Sequence, residues 1–456
     1  MIVPQNRLLF WVTAVVLPFA TLAGVYSSAI LISLALIGCL AVAVLCDALV
    51  SLNALAGIKL RCPAIVRASK DRVAKIELQI GNNNKKERHL RIGIGLPTLI
   101  ESEHEIVDLT LPEAEWSKLD WPFTGRCRGN FHLTRAYVEA PSILGFWAVR
   151  APFPLDCQIR VYPNLLTERK NLAALFLNRG TFGLHAQRQV GKGRDFEKLR
   201  EYIPGDSYDE IHWKATAKRG HPVTKVFQIE RTQEIYVLID ASRLSARSAA
   251  SSAADTDGSR GRSPSQPGVP MLERYITAAL VLGLAAERQG DLFGLLTFSD
   301  KVESFVRARN GKAHYHACRD AIYALEPRSV TPDYDELASF VRLRLRRRAL
   351  LVVLTALDDP VLAESFVRNI DLLCRQHLVL VNMIKPGGVD PLFSHTEVRT
   401  QDNLYDELRG HLQWHNLREL QKVLQRRGVD FSLLENERLS ADLVTEYLNV
   451  KRRQLL

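Results

Sequence analysis

The chain has 456 residues, of which 47% are hydrophobic and 24% charged, with a formal net charge of +10. That length is too great for one ordinary domain, and the balance is that of folded protein, not of a disordered or low-complexity chain. The surplus of Lys and Arg is matched locally by Asp and Glu almost everywhere, so no nucleic-acid partner is expected, whereas an anionic membrane surface or an acidic partner suits the charge. Seven cysteines at 39, 46, 62, 127, 157, 318 and 374 are scattered, odd in number and never spaced CxxC. They argue for reduced thiols on the cytosolic side and against a disulfide framework.

The first segment, 1–52, contains two stretches without a charge, 8–25 and 29–46. About 20 apolar residues cross a bilayer, so each stretch is close to spanning length. Arg7 before an apolar core also fits a cleaved signal peptide, but the second stretch follows within a few residues and favours a two-pass hairpin turning at Tyr26-Ser27-Ser28. A buried helical pair in a soluble protein is the remaining alternative. Lys59, Arg61, Arg67, Lys70, Arg72 and Lys75 follow the second stretch, which by the positive-inside rule sets both ends, and the soluble domains beyond, in the cytoplasm at the inner membrane.

Residues 53–165 change character. Short alternating runs at 76–80, 91–96, 131–139 and 158–162 are separated by Gly, Pro and Asn clusters, the pattern of a small antiparallel β-sandwich. The connector 166–232 holds the chain's densest mixture of aromatic and charged residues. Pro204-Gly205-Asp206 suits a type II turn, Ser207 and Glu210 form a capping box, and Tyr208, Ile211 and Ala215 share one face of the helix that should follow. Gly220 and Pro222 stop that helix, with His212, Trp213 and Lys214 pointing away from the stripe.

From 233 to 456, apolar strands alternate with amphipathic helices. Strands are expected at 234–240, 291–299, 349–357, 377–384 and 429–434, and helices at 272–289, 312–325, 333–346, 360–376, 404–427 and 440–451. This predicts a doubly wound α/β domain whose functional crevice lies at the carboxyl ends of the strands, where the first strand ends in Asp240-Ala241-Ser242. The insertion 245–270 is small, polar and rich in Ser, Gly and Pro, and is expected to be disordered. The basic run 342–348 reads as a solvated helix end.

The string Gly193, Arg194, Asp195, Phe196, Leu199, Arg200, Tyr202, Pro204, Gly205, Asp206, then Ile211, His212, Trp213, Lys214, Ala217 and Lys218, resembles the signature of the bacterial family called "domain of unknown function 58". Segments 129–133 and 142–147 resemble upstream features of the same family. The resemblance implies a membrane hairpin, a β domain and a von Willebrand factor A-like domain, and a non-enzymatic adaptor or scaffold acting with a MoxR-type AAA+ ATPase in envelope-related assembly or maturation. It also implies an adhesion-type Mg²⁺ site with hard oxygen ligands. In this chain that site would be Asp240, Ser242, Thr331 and Asp358. It is degraded: Leu244 stands where a second serine is expected, and Ala356 where the carboxylate is expected. Two other readings stay open: an enzyme of unknown reaction built on the 194–213 polar cluster, and a metal-free scaffold recruiting partners through 245–270. His314 and His316 lack a third ligand at zinc spacing, and there is neither a G-x-S-x-G elbow nor a P-loop.

Overall fold

The computed structural model describes residues 1–83, 87–113, 115–166, 168, 173, 190–204, 207–228, 233–248, 269–392, 394 and 401–453. They form two compact units, Met1–Asn164 and Leu165–Leu456. Most of the 245–270 insertion and the Gly205-Asp206 step lie outside the described residues.

In the first unit a short strand β1 (Ile2–Pro4) leads into helix α1 (Asn6–Val25), and helix α2 (Ile30–Ser51) returns. At 1.5 Å per residue both are about 30 Å long, which matches the bilayer core. Only 6% and 11% of their apolar stretches are buried within the chain, whereas a helical pair in a soluble core would be mostly enclosed. The two helices are long and apolar enough to cross a membrane, and their surface faces outward. Pro18 cannot donate to the carbonyl one turn back, and α1 widens to a π turn at Val12–Val16 just before it.

Behind the hairpin stand two β-sheets. One runs β1–β10–β9–β5–β7 with β3 on the far side of β10; the other runs β2–β4–β8–β6. Here β2 is Ile58–Arg61, β3 Ile65–Ser69, β4 Val73–Asn82, β5 Arg88–Ile94, β6 Ile100–Glu101, β7 Ile106–Leu111, β8 Trp116–Gly125, β9 Gly129–Pro141 and β10 Trp147–Tyr162. Period-2 alternation sends Ile76, Leu78 and Ile80 of β4, with Trp121 and Phe123 of β8, inward against Val138 of β9 and Ile159 and Val161 of β10. Each such side chain contributes roughly 1.5–3 kcal/mol by leaving water. One expectation fails: β3 pairs parallel to the end of β10, Gln158 opposite Ile65, so the first sheet is mixed rather than antiparallel. Alternation encodes which face is buried and carries no information on strand direction.

A polar joint ties hairpin to sheets. Asp47, on the last turns of α2 and 4% exposed, accepts hydrogen bonds from Ser142 Oγ at 2.6 Å and from the backbone N–H of Leu144 at 3.0 Å. The indole of Trp147 donates to the carbonyl of Val44 at 3.0 Å.

The second unit opens with an antiparallel pair, β11 (Val190–Glu201) and β12 (Val223–Gln228), enclosing the signature segment. The main sheet follows: β13 (Glu234–Asp240), β14 (Leu292–Phe298), β15 (Val302–Arg309), β16 (Leu350–Leu354), β17 (Leu378–Ile384) and β18 (Asp430–Leu434), in the order β15–β14–β13–β16–β17–β18. All pairings are parallel except that of β15, which is the antiparallel edge. Counted from β13 this is the order 3-2-1-4-5-6, which reverses direction at β13 and β16. Ile235, Val237 and Ile239 of β13 pack on one face with α4 (Met271–Arg288) and α9 (Leu439–Arg453). Tyr236 and Leu238 face the other way, onto α6 (Tyr334–Arg344), α7 (Pro360–Cys374) and α8 (Gln401–Arg426). The remaining named helices are α3 (Trp213–Arg219), in the signature, and α5 (Lys312–Ile322).

His377, just before β17, is 4% exposed, and neither ring nitrogen has a partner among the described residues. Burial disfavours its charged form and pulls its pKa below the ordinary 6.5. Between the folded pKa and 6.5 the unfolded chain therefore binds the extra proton, so the stability this group supplies is present above 6.5 and is lost as pH falls through that window. Between its folded pKa and 6.5 the wild type is expected to take up as much as one more proton on unfolding than a His377→Phe variant. Denaturant titrations of both across pH 5–8 check this, and parallel pH profiles would contradict it.

Candidate functional site

Carboxyl ends of neighbouring parallel strands collect whatever polar residues terminate the apolar runs. Where the strand order reverses, β13 ends in Asp240 and β16 is followed at once by Thr355. Asp240 is fully buried; its Oδ1 accepts from the backbone N–H of Ser242 at 2.8 Å and its Oδ2 from Thr355 Oγ1 at 2.6 Å. Ser242, also fully buried, turns its hydroxyl back to accept from the N–H of Leu244 at 3.3 Å. Tyr334 OH lies 3.2 Å from Thr355 Oγ1, and Tyr275 OH donates to the Thr355 carbonyl at 3.2 Å. Both phenols are buried.

Charge is expensive here. Burial pushes the Asp240 carboxyl above the ordinary carboxylate value, against the lowering effect of its bonds to Ser242 and Thr355. Burial, then the nearby Asp240, drives Tyr334 well above its usual value. Asp240, Thr355 and Tyr334 thus form a buried line of hydroxyl and carboxyl groups in which burial disfavours the charged forms.

The sequence-derived metal residues are brought only partly together. Asp240 and Ser242 are adjacent. Thr331 is exposed, and the hydroxyl that meets Asp240 belongs to Thr355. Asp358 pairs through Oδ2 with Arg247, while its buried Oδ1 has no partner among the described residues. Asp359 is spent on capping α7, accepting from the N–H of Val361 at 3.0 Å. Leu244 is buried in the apolar layer beneath α6 and α7, where a hydroxyl ligand would be wanted. Among the described residues no three His, Cys, Asp or Glu side chains could hold a metal ion together. A fully buried carboxyl whose two oxygens already accept from Ser242 and Thr355, beside a buried leucine, does not suit Mg²⁺, which wants several free oxygen donors and bound water. Thr355, Tyr275 and Tyr334 escaped the sequence reading, although Thr355 is legible as the first polar residue after a buried strand paired to β13.

The signature segment forms a separate feature. Its expected helix from Ser207 is replaced by a single 3₁₀ turn, Tyr208–Glu210, with no side-chain bond from Ser207. Ile211 is extended, buried and bridged to Thr224 of β12, so strand pairing overrides the capping box. The true cap is His212, whose Nδ1 accepts from the N–H of Ala215 at 3.1 Å and so starts α3. Gly220 ends that helix in the left-handed region, φ 73°. His212 N–H donates to the Val223 carbonyl at 2.8 Å, and Tyr202 N–H to that of Pro222 at 3.0 Å. Tyr202 and Tyr208 lie with ring centroids 6.2 Å apart. Arg200 is half-buried, Pro204 and Lys214 are exposed, and Tyr208, Trp213 and Ile203 expose 75%, 69% and 55% of their surface. Arg194 and Asp195 lie on β11, where Asp195 opposes Gln228; their side chains, like Gly205 and Asp206, lie outside the described residues. Among the described residues the His212 imidazole is engaged as the cap of α3.

Against known proteins, the chain is 27% identical over 113 residues to the uncharacterized protein YeaD of Bacillus subtilis (strain 168), covering 25% of this chain and 28% of that one. It is 23% identical over 206 residues to the uncharacterized protein Rv1480 of Mycobacterium tuberculosis (strain ATCC 25618 / H37Rv), covering 44% and 58% respectively. The matches thus span less than two thirds of these relatives. Among solved structures it is similar to the conserved hypothetical protein BatB from Bacteroides thetaiotaomicron, at 13% identity and TM-score 0.29, over 48% of this chain and 99% of that one. An aerotolerance-related membrane protein from Bacteroides fragilis is similar at 12% identity and TM-score 0.29, over 49% and 99%. Residues 198–391 match the family model "Protein of unknown function DUF58", so the similarity to that family runs from the end of β11 through the Asp240 crevice to beyond β17.

Proposed function

We propose that this chain is a membrane-anchored, non-enzymatic adaptor that faces the cytoplasm from the inner membrane and works with a MoxR-type AAA+ ATPase in envelope-related assembly or maturation. Its C-terminal sheet is a von Willebrand factor A-like, doubly wound domain used for protein contact and not for metal binding. The observation that carries the reading is the surface of the signature: Tyr208 and Trp213 are largely exposed, while the polar groups around them hold the segment's own backbone. Exposed aromatics on a fixed turn supply contact area at small entropic cost, and Trp and Tyr dominate the energetics of protein interfaces. The basic residues after α2 support the cytoplasmic orientation. The strand order and antiparallel edge support the A-like reading.

Capture of a purified MoxR-type ATPase by the full chain in detergent tests this. Trp213→Ala combined with Tyr208→Ala is expected to weaken capture at least tenfold, the usual scale for interface anchors, with thermal unfolding unchanged because neither side chain is buried. Absence of association at both low and moderate salt, or equal capture by the double variant, would refute it.

A further inference from the structure

The first unit contains a polar pocket of ≈570 Å³ where α1 meets the sheets, lined by Arg7, His89, Arg91, Thr110, Glu139 and Gly145 among others. Its charges are unequally used. Arg91 is held by Asp108 at 2.8 Å and lies 3.9 Å from Glu139; Glu139 also binds Arg150 at 2.7 Å and accepts from Gln5 Nε2 at 3.2 Å. His89 Nδ1 is 2.7 Å from Thr110 Oγ1. Arg7 alone among these cations has no ion pair or hydrogen bond among the described residues. The backbone makes room for it: at Gly145, φ 76°, an added Cβ would stand 3.1 Å from Arg7 Nη1 and 3.2 Å from its Cδ.

The pocket's position selects the ligand. Arg7 sits on the first turn of α1, so an inserted hairpin sets it at the depth of lipid headgroups, where cationic side chains reach for the interface. The adjoining loop exposes 78% of Ile143 and 51% of Leu144, and Asp47 of α2 fixes that same loop to the anchor. A free guanidinium beside a polar cleft, rimmed by apolar side chains that face the acyl layer, matches one phosphodiester with a glycerol backbone attached. We propose that this pocket binds the phosphodiester headgroup of a membrane phospholipid through Arg7. The assignment rests on the hairpin lying in a bilayer.

Native mass spectrometry of the full chain in neutral detergent, titrated with phosphatidylglycerol, reads the site directly. The expected result is one retained phosphatidylglycerol per chain, with affinity at least tenfold weaker in Arg7→Gln, as for loss of a charge-assisted hydrogen bond, and largely restored in Arg7→Lys. Ile143→Asp, on the exposed rim and outside the core, is expected to weaken retention severalfold without touching the headgroup contacts. Diacylglycerol, which lacks the phosphate, should not be retained. Equal retention of diacylglycerol, or indifference to both Arg7→Gln and Ile143→Asp, would overturn the proposal. Displacement of the lipid by equimolar glycerol 3-phosphate would replace it with a soluble-phosphate site. Carbonate extraction of the source membranes reports hairpin insertion separately, so a failure of the anchor and a failure of the pocket give different results.

Discussion

Asp240→Ala is expected to destabilise the sheet domain by about 3 kcal/mol, and Asp240→Asn by about 1 kcal/mol. The alanine leaves the Ser242 N–H and the Thr355 hydroxyl without an acceptor in a dry interior, at about 1–3 kcal/mol for each orphaned group. Asparagine keeps an oxygen for Ser242, and its amide can donate to Thr355 if the Thr355–Tyr334 hydroxyl pair reverses direction. The two variants also differ from wild type in pH dependence. Because burial raises the folded pKa of Asp240 above its ordinary 3.8, between 3.8 and the folded pKa the native state holds a proton that the unfolded chain has released. Stability from this group is therefore full at low pH and declines as pH rises through the folded pKa. The deficit of Asp240→Asn relative to wild type should accordingly shrink as pH increases. Denaturant unfolding, followed by hydrogen exchange of β13 and β16, measures both effects. An alanine variant within about 1 kcal/mol of wild type would show that water reaches the site.

Asp47→Leu is expected to cost the joint between anchor and sheets about 3 kcal/mol while leaving the sheets folded. Two hydrogen bonds to a carboxylate are removed, each worth about 1.5–3 kcal/mol, and the Ser142 hydroxyl and Leu144 N–H lose their acceptor. The substitution makes α2 more apolar, so insertion should be at least as good as in wild type, which separates loss of the joint from loss of the anchor. Protease sensitivity and hydrogen exchange should rise across 142–147 and stay unchanged across β4 and β8. Asp47→Asn, which retains an acceptor oxygen, should fall between the two. Unchanged protection of 142–147 in the leucine variant would mean that the Trp147–Val44 bond holds the joint by itself.

The anchor and the strand–helix alternation after 233 were legible because both are written in local hydrophobic periodicity, which needs no knowledge of distant partners. The direction of β3 was not, since its partner lies more than ninety residues away and direction leaves no periodic trace. The helix expected from Ser207 failed for the same reason. The capping box is a genuine local signal, yet Ile211 is worth more to the segment as a buried bridge to Thr224 than as a helical residue. At the crevice, Asp240 and Ser242 could be found from the strand end alone. Thr355 required knowing which strand lies beside β13, and choosing Thr331 in its stead followed from a family pattern, not from the register of this sheet. Trp213 is exposed, but not through the expected stripe of Tyr208, Ile211 and Ala215, because the helix begins only at Trp213 under the His212 cap.

The pairing of β1 with β10 has a consequence for how the chain is made. Met1 and Arg150, joined at that edge, are 149 residues apart in sequence, and translation at about 5–20 residues per second separates their emergence by roughly 7–30 s. Hairpin insertion can begin long before the sheet that receives β1 exists, so the ribosome delivers an anchored but unclamped intermediate with one sheet edge open. Slowing elongation between codons 52 and 147 lengthens the life of that intermediate without altering a single residue of the finished protein.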